Sequence, residues 1–169
     1  MVTAVVNNPG LVAGQILDWT NCRVFQAFKG AGVITRGDLL VPDTGTAPDG
    51  VKLSPTGRNA GPFYVAMETV VSGATKISVA QGGVIALTAD GTIEVHKLCQ
   101  TATSTAGQVI QYVATVPANV TTPAGSDITT MAADFSAVVG ECLGFADNYD
   151  REGTTAPVDG DLVAVRMRV

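Results

Sequence analysis

Charge is scarce in this chain. Charged residues make up 15 % of it, ten Lys and Arg against fifteen Asp and Glu, for a net charge of −5 and a pI near 4.6. Nucleic-acid binding rests on clustered Lys and Arg contacts to phosphate, and the few basic residues here are scattered, so no nucleic-acid partner is expected. Aromatic residues make up 5 %, with one Trp, three Tyr and five Phe, too few for an obvious sugar-stacking platform. Cysteine is limited to Cys22, Cys99 and Cys142, an odd number without metal-ligand spacing. They read as reduced, mostly buried thiols. No apolar run approaches the ~20 residues that a membrane span needs, so no membrane partner is expected. The first basic residue is Arg23, so no positively charged region precedes an apolar core and no secretory leader is expected.

What remains is 46 % hydrophobic, rich in Val, Thr, Ala and Gly. That mixture favours strands and turns over helical bundles. A chain of 169 residues suits one domain with a real core. The central stretch, Gly61 to Val95, reads as short strands cut by glycine turns. Phe63–Met67 and Thr69–Val71 are followed by a break at Ser72-Gly73-Ala74. Lys76–Val79 alternates polar and apolar, Gln81-Gly82-Gly83 breaks the run, and Val84–Leu87 follows. Ala89-Asp90-Gly91 predicts a hairpin turn leading into Thr92–Val95, since Asp-Gly tolerates the positive φ angles of tight hairpins. His96–Cys99 extends that strand.

Elsewhere, strands are predicted at Arg23–Phe28, from Val33 to Pro42, at Gly107–Ala114, at Ala137–Ala146 and from Asp159 to the last residue. Asp43 to Ala60 reads as a long surface loop, Gln100 to Ala106 as a polar linker, and Asp147 to Val158 as a charged loop. The single credible helix runs from Asp127 to Phe135, capped by Ser126 or Asp127. Gly37-Asp38-Leu39-Leu40-Val41 and Gly160-Asp161-Leu162-Val163-Ala164 echo one another, each a Gly-Asp bend entering a strand. The first 21 residues are uncharged except for Asp18 and hold the turn signal Asn7-Asn8-Pro9-Gly10. Such an apolar, irregular terminus either packs back on its own domain or lies on a partner. Trp19 reads as a core aromatic or as an interface anchor.

Catalytic chemistry finds few footholds. His96 is the one histidine and has no neighbour in sequence with which to share a proton or metal. Asp147 with Asp150, and Asp159 with Asp161, sit in turn contexts where aspartate serves the backbone. Asn148–Gly153 lacks the alternating oxygen ligands of a calcium loop. Gly82-Gly83 is not followed by the Gly-Lys-Ser/Thr of a phosphate loop. The Gly-Asp-Leu-Val-Ala-Val segment is similar to a strand of self-cleaving β-rich serine proteases, which place a serine before it and a lysine base after it. Here the first serine, Ser54, follows the first copy, and no lysine follows the second. No catalytic residue, cofactor-binding residue or metal ligand is assigned, and no cofactor is expected.

The order of short motifs carries a resemblance. A Gly-Asp strand is followed by a Gly/Pro loop, Ala66-Met67-Glu68, Ser72-Gly73-Ala74 and Val79-Ala80-Gln81-Gly82-Gly83-Val84. Ala106-Gly107-Gln108-Val109, Val139-Gly140-Glu141-Cys142-Leu143 and the terminal Gly160–Val165 strand complete it. Over roughly Gly30 to Val169 the chain resembles the small capsid decoration (cement, head-stabilising) proteins of tailed bacteriophages. The resemblance implies a mainly β protein, a compact antiparallel β-barrel or β-tulip with at most one short helix. It implies an extended N-terminal arm over residues 1–22 and a single decoration domain over residues 23–169. It further implies a homotrimer made in the host cytoplasm and seated on the outer surface of the virion capsid. There it would bridge and stabilise major capsid protein subunits, without catalysis. The arm residues expected to touch the capsid are Val2, Val5, Val6, Asn7, Pro9, Leu11 and Trp19. Two rival readings remain. One is a virion-surface carbohydrate- or host-binding β module using the Asp43–Ala60 or Asp147–Val158 loops, and the other is an orphan β-barrel enzyme.

Overall fold

A computed structural model of the protein describes residues 10–45, 49–114, 132–133, 135–147 and 155–168. Among the described residues eleven strands run in chain order: β1 Ile16–Asp18, β2 Arg23–Lys29, β3 Leu39–Pro42, β4 Gly50–Leu53, β5 Tyr64–Ala66, β6 Lys76–Gln81, β7 Val84–Thr88, β8 Leu98–Thr101, β9 Val109–Gln111, β10 Val138–Phe145 and β11 Leu162–Met167. They form two bodies. A closed barrel runs β2-β4-β3-β5-β6, and a six-stranded sheet runs β1-β7-β11-β10-β8-β9. The mainly β, compact fold expected from composition is what the chain adopts. Strand pairing is antiparallel apart from β2 with β4, which is parallel, and a parallel bridge between Ala89 and Val109. The helix expected over Asp127–Phe135 falls largely outside the described residues. Within it, residues 132, 133 and 135 are helical, residue 136 continues the helix, and the Ala137 N–H donates to the Ala133 carbonyl at 3.2 Å.

The barrel and the sheet share a core. Leu39, Val41, Val65 and Ala80 of the barrel pack with Ile85, Leu87, Val139, Val163 and Val165 of the sheet. The alternate residues Leu40, Ala66 and Val79 pack with Ala27, Ile34, Val51 and Ile77 in a second cluster. Strands β3, β5 and β6 are thus buried on both faces. Successive side chains on a strand point to opposite faces, so a doubly covered strand must be apolar throughout. That is why Leu39-Leu40-Val41 shows no polar alternation. β7 is likewise buried along Val84–Leu87, with Val84 packing against Leu143 and Ala164 on the far face of the sheet.

The two Gly-Asp segments prove to be one turn used twice. The Asp38 N–H donates to the Thr35 carbonyl at 3.0 Å, and the Thr35 N–H donates to the Asp38 carboxylate at 2.7 Å. Asp161 repeats both bonds with Val158, at 3.1 and 2.8 Å. Gly37 and Gly160 have φ of 90° and 84°, the left-handed conformation that the third residue of such a turn requires. Each turn delivers the chain into a core strand, β3 or β11.

Three local expectations are corrected. Asp90 makes no hairpin, and Thr92–Val95 is not a strand. Both edges of β7 are already filled, by β1 and β11, so no returning strand has a place to pair. The chain leaves the sheet instead. Ile93 is buried with its N–H donated to the Pro157 carbonyl at 3.0 Å, and a turn at His96 (φ 64°) starts β8. The polar run from Gln100 begins inside β8, where Gln100 and Thr101 are buried between β10 and β9. The long loop from Asp43 contains β4, whose Val51 is buried in the barrel.

Asp90 still has a structural task. Its carboxylate accepts the N–H groups of Ser104 at 2.9 Å and Thr105 at 3.3 Å, pinning the β8–β9 connection. Burial pushes this carboxyl up, but the N–H and hydroxyl groups of Ser104 and Thr105 outweigh it and hold it below the ordinary value. An acid whose folded pKa is depressed stabilises the fold above its unfolded pKa, and that stabilisation disappears as pH falls through the folded value. Asp90→Ala is expected to cost about 1–2 kcal/mol at neutral pH by leaving two N–H groups unpaired. The difference from wild type should shrink on the acid side of the carboxylate range. Urea denaturation at neutral and acid pH checks both parts.

Candidate docking surfaces

The first surface is built at the start of the sheet. Gly14 donates its N–H to the Ala86 carbonyl at 2.7 Å, and the Ala86 N–H donates to the Gln15 carbonyl at 2.9 Å. Ile16 and Asp18 then pair with Ile85 and Val84. Of the stretch expected as an arm, residues 12–18 therefore lie on the domain, with β1 as an edge strand of the sheet. After β1 the chain turns sharply. The Thr20 N–H donates to the Asp18 carboxylate at 2.8 Å, the Cys22 N–H donates to the Trp19 carbonyl at 3.0 Å, and Asn21 takes a φ of 60°. The Thr20 N–H and then its hydroxyl hold the Asp18 carboxyl below its usual value, with Arg166 adding to this. The turn sits directly on Gly83, where a Cβ would lie 2.6 Å from the Asp18 carbonyl oxygen. A rigid turn thus presents the Trp19 ring outward, 65 % exposed.

Of the other expected capsid-contact residues, Leu11 is half-buried beside Phe145, Gly160, Asp161 and Leu162. Val2, Val5, Val6, Asn7 and Pro9 lie outside the described residues. Trp19 and Leu11 are accordingly the two whose position is defined, and they lie at different places along the sheet.

The second surface is β2, which carries two exposed aromatics. Phe25 is 36 % and Phe28 43 % exposed, with Val24 beside them at 45 %. Phe25 meets the Tyr64 ring edge to face at 5.8 Å, and the Lys76 ammonium lies 5.6 Å from the centre of the Phe28 ring. These pairings orient the rings without hiding them. The signal was present in Arg23 and Gln26, exposed polar residues interleaved with the aromatics, which mark a strand wetted on more than one side.

The third group is polar. Glu141 and Arg166, directly opposite on β10 and β11, form an ion pair at 3.2 Å, and His96 approaches the other Glu141 oxygen at 3.4 Å. His96 stands exposed in a turn, whereas a strand position was expected for it. Exposed cross-strand pairs of this kind contribute up to about 1 kcal/mol. Among the described residues no group of three or more His, Cys, Asp or Glu is placed to hold a metal ion. The cysteines are free, Cys99 and Cys142 buried and Cys22 half-buried. A hydrogen bond to Cys142, and burial, both push the Cys99 thiol well up.

No family model matches the chain, and no curated protein matches it. Among solved structures the chain is similar to the N base of the head fiber gp8.5 of bacteriophage phi29, with a TM-score of 0.50 and 18 % identity over 87 % of this chain and 94 % of that one. At that identity the likeness is one of fold, and it extends over nearly the whole of the phage domain.

Proposed function

We propose that this protein is a structural component of a bacteriophage head, a decoration protein that binds the outside of the assembled capsid and stabilises it. The observation that carries the reading is the fold shared with a head fiber base over 94 % of that chain. The motif order from Gly30 to Val169 supports it independently, since it rests on residues rather than on backbone shape. In this reading the chain acts as a homotrimer, bridges major capsid protein subunits, resides on the virion surface and performs no catalysis. Trp19 supplies the capsid contact on the described part of the chain. A large amphipathic ring held on a rigid turn gives much contact area at little cost in conformational entropy. Repetition over the shell then multiplies modest single contacts into firm attachment.

The test is co-sedimentation of the full chain with capsids that lack it. The expected outcome is saturable pelleting at a fixed ratio to the major capsid protein. Failure to pellet at any ratio overturns the reading. Point substitutions are preferable to removal of residues 1–21, because that cut would also strip β1 from β7.

A further inference from the structure

Cys99 and Cys142 meet in the core that the barrel and the sheet share. They stand on neighbouring strands, β8 and β10. Cys99 is directly opposite Gly140, and Cys142 lies two residues further along β10, on the same face. Diagonal neighbours on one face of an antiparallel pair are within side-chain reach. Gly140 has no side chain to crowd Cys99, so the thiol is free to lean along the diagonal. The main chain around the pair is tied down. The Cys142 N–H donates to the Lys97 carbonyl at 2.9 Å, and the His96 N–H donates to the Cys142 carbonyl at 2.8 Å. The Cys99 thiol donates to the Cys142 sulfur. Gly144, at φ 115° where the register of β10 shifts, turns its N–H to the same sulfur. The bond from Cys99 holds the Cys142 thiol below its ordinary value; burial opposes this, and the Gly144 N–H adds to it. Cys22 stands apart. It lies against Gly83, whose would-be Cβ is 2.8 Å from the Cys22 Cβ. β11 separates the strand that follows Gly83 from β10, so two strand spacings, about 10 Å, keep Cys22 from the pair.

We propose that Cys99 and Cys142 are a latent disulfide, a redox-controlled bond that ties β8 to β10 inside the core. The inference goes beyond the capsid reading and does not depend on it. The oxidant is a small-molecule disulfide such as oxidised glutathione. The Cys142 thiolate attacks one sulfur of the oxidant, forming a mixed disulfide and expelling one glutathione thiolate. Cys99, after giving its proton to that thiolate, attacks the Cys142 sulfur of the mixed disulfide and expels the second glutathione. The two cysteines thus lose two electrons and two protons, and the oxidant becomes two thiols. Both sulfurs are buried in the finished fold, so the exchange takes place as the chain folds, and the closed core then shields the bond from reductant. Residues 99 and 142 are distant in sequence, so the bond restrains the unfolded chain far more than the folded one. By linkage, whatever the bond adds to folding, folding adds to the bond. In a reducing compartment the pair stays as thiols, and in an oxidising one it closes.

The test refolds the full reduced chain from urea into a buffer of reduced and oxidised glutathione. Exchange is then quenched with acid, and the remaining thiols are alkylated under denaturing conditions. Mass spectrometry is expected to find Cys22 alone alkylated and peptides of Cys99 and Cys142 joined. With urea kept in the same buffer, the ratio of bonded to free pair should fall about 30-fold or more, because the fold no longer holds the sulfurs together. The oxidised chain should melt about 5–10 °C above the reduced one. Cys22→Ala is expected to behave as wild type. Cys99→Ala should lose the bond without Cys22 taking its place. A chain that refolds with all three thiols free, a linkage through Cys22, or a bond that forms equally well in urea each overturn the inference. An oxidised chain that melts no higher than the reduced one also overturns it.

Discussion

Gly37→Ala is expected to lower stability by about 3–4 kcal/mol, the upper range for a single substitution. Two costs combine. The residue sits at φ 90°, where a Cβ meets the neighbouring carbonyl and costs about 1–2 kcal/mol. The added methyl would also overlap the Ala13 Cβ and lie 2.7 Å from the Ala13 carbonyl carbon and 2.9 Å from the Gly14 nitrogen. Backbone cannot move aside as a flexible side chain can. The segment carrying Ala13 and Gly14 would have to lift, putting at risk the bonds that tie Gly14 and Gln15 to Ala86 and hence the docking of β1. For a domain of this size the loss corresponds to a fall in Tm of about 10 °C. Gly14 is locked reciprocally, with φ 75° and a would-be Cβ 2.8 Å from both the Ala66 oxygen and the Gly37 nitrogen. Gly14→Ala and Gly37→Ala should therefore be less than additive, because either one lifts the same segment. Ala13→Gly should recover part of the Gly37→Ala loss by removing the overlapping methyl. A Gly37→Ala protein melting within about 2 °C of wild type would show that the contact is not structural.

Trp19→Ala is expected to weaken capsid co-sedimentation at least about 30-fold while leaving the domain as stable as before. The first part follows from the size of truncation at an aromatic anchor, about 2 kcal/mol or more, which is roughly 30-fold in affinity. The second follows from the 65 % exposure of the ring, since surface substitutions stay within about 0.5 kcal/mol. The turn that carries the ring is held by main-chain bonds and by Asp18, none of which uses the indole. Trp19→Phe should retain most of the binding. An unchanged pelleting curve for Trp19→Ala would remove Trp19 from the contact, while a lower melting temperature would reassign it to packing.

Several features were legible because they depend on a few adjacent residues. The Gly-Asp bends are one case: a residue with φ above zero followed by an aspartate that turns back to bond the chain three residues earlier is a local device, and it recurs at Asp38 and Asp161. The breaks at Ser72-Gly73-Ala74 and Gln81-Gly82-Gly83 are another, with positive φ at Gly73, Gly82 and Gly83. The latter does more than join two strands, since it carries the chain from the barrel into the sheet. Asp90-Gly91 shows where local chemistry is insufficient. The dipeptide suits a hairpin, but a hairpin needs a free edge beside β7, and strands from residues 16–18 and 162–167 occupy both.

The sequence by itself determined the β class, most strand positions and the turn glycines, because side-chain alternation and backbone sterics act over a few residues. Only the tertiary structure decided how eleven strands divide between barrel and sheet, and that Gln100 and Thr101 are buried while Trp19, Phe25 and Phe28 face outward. Exposure and edge status depend on which distant strand arrives alongside, and that pairing is settled by competition among segments far apart in the chain.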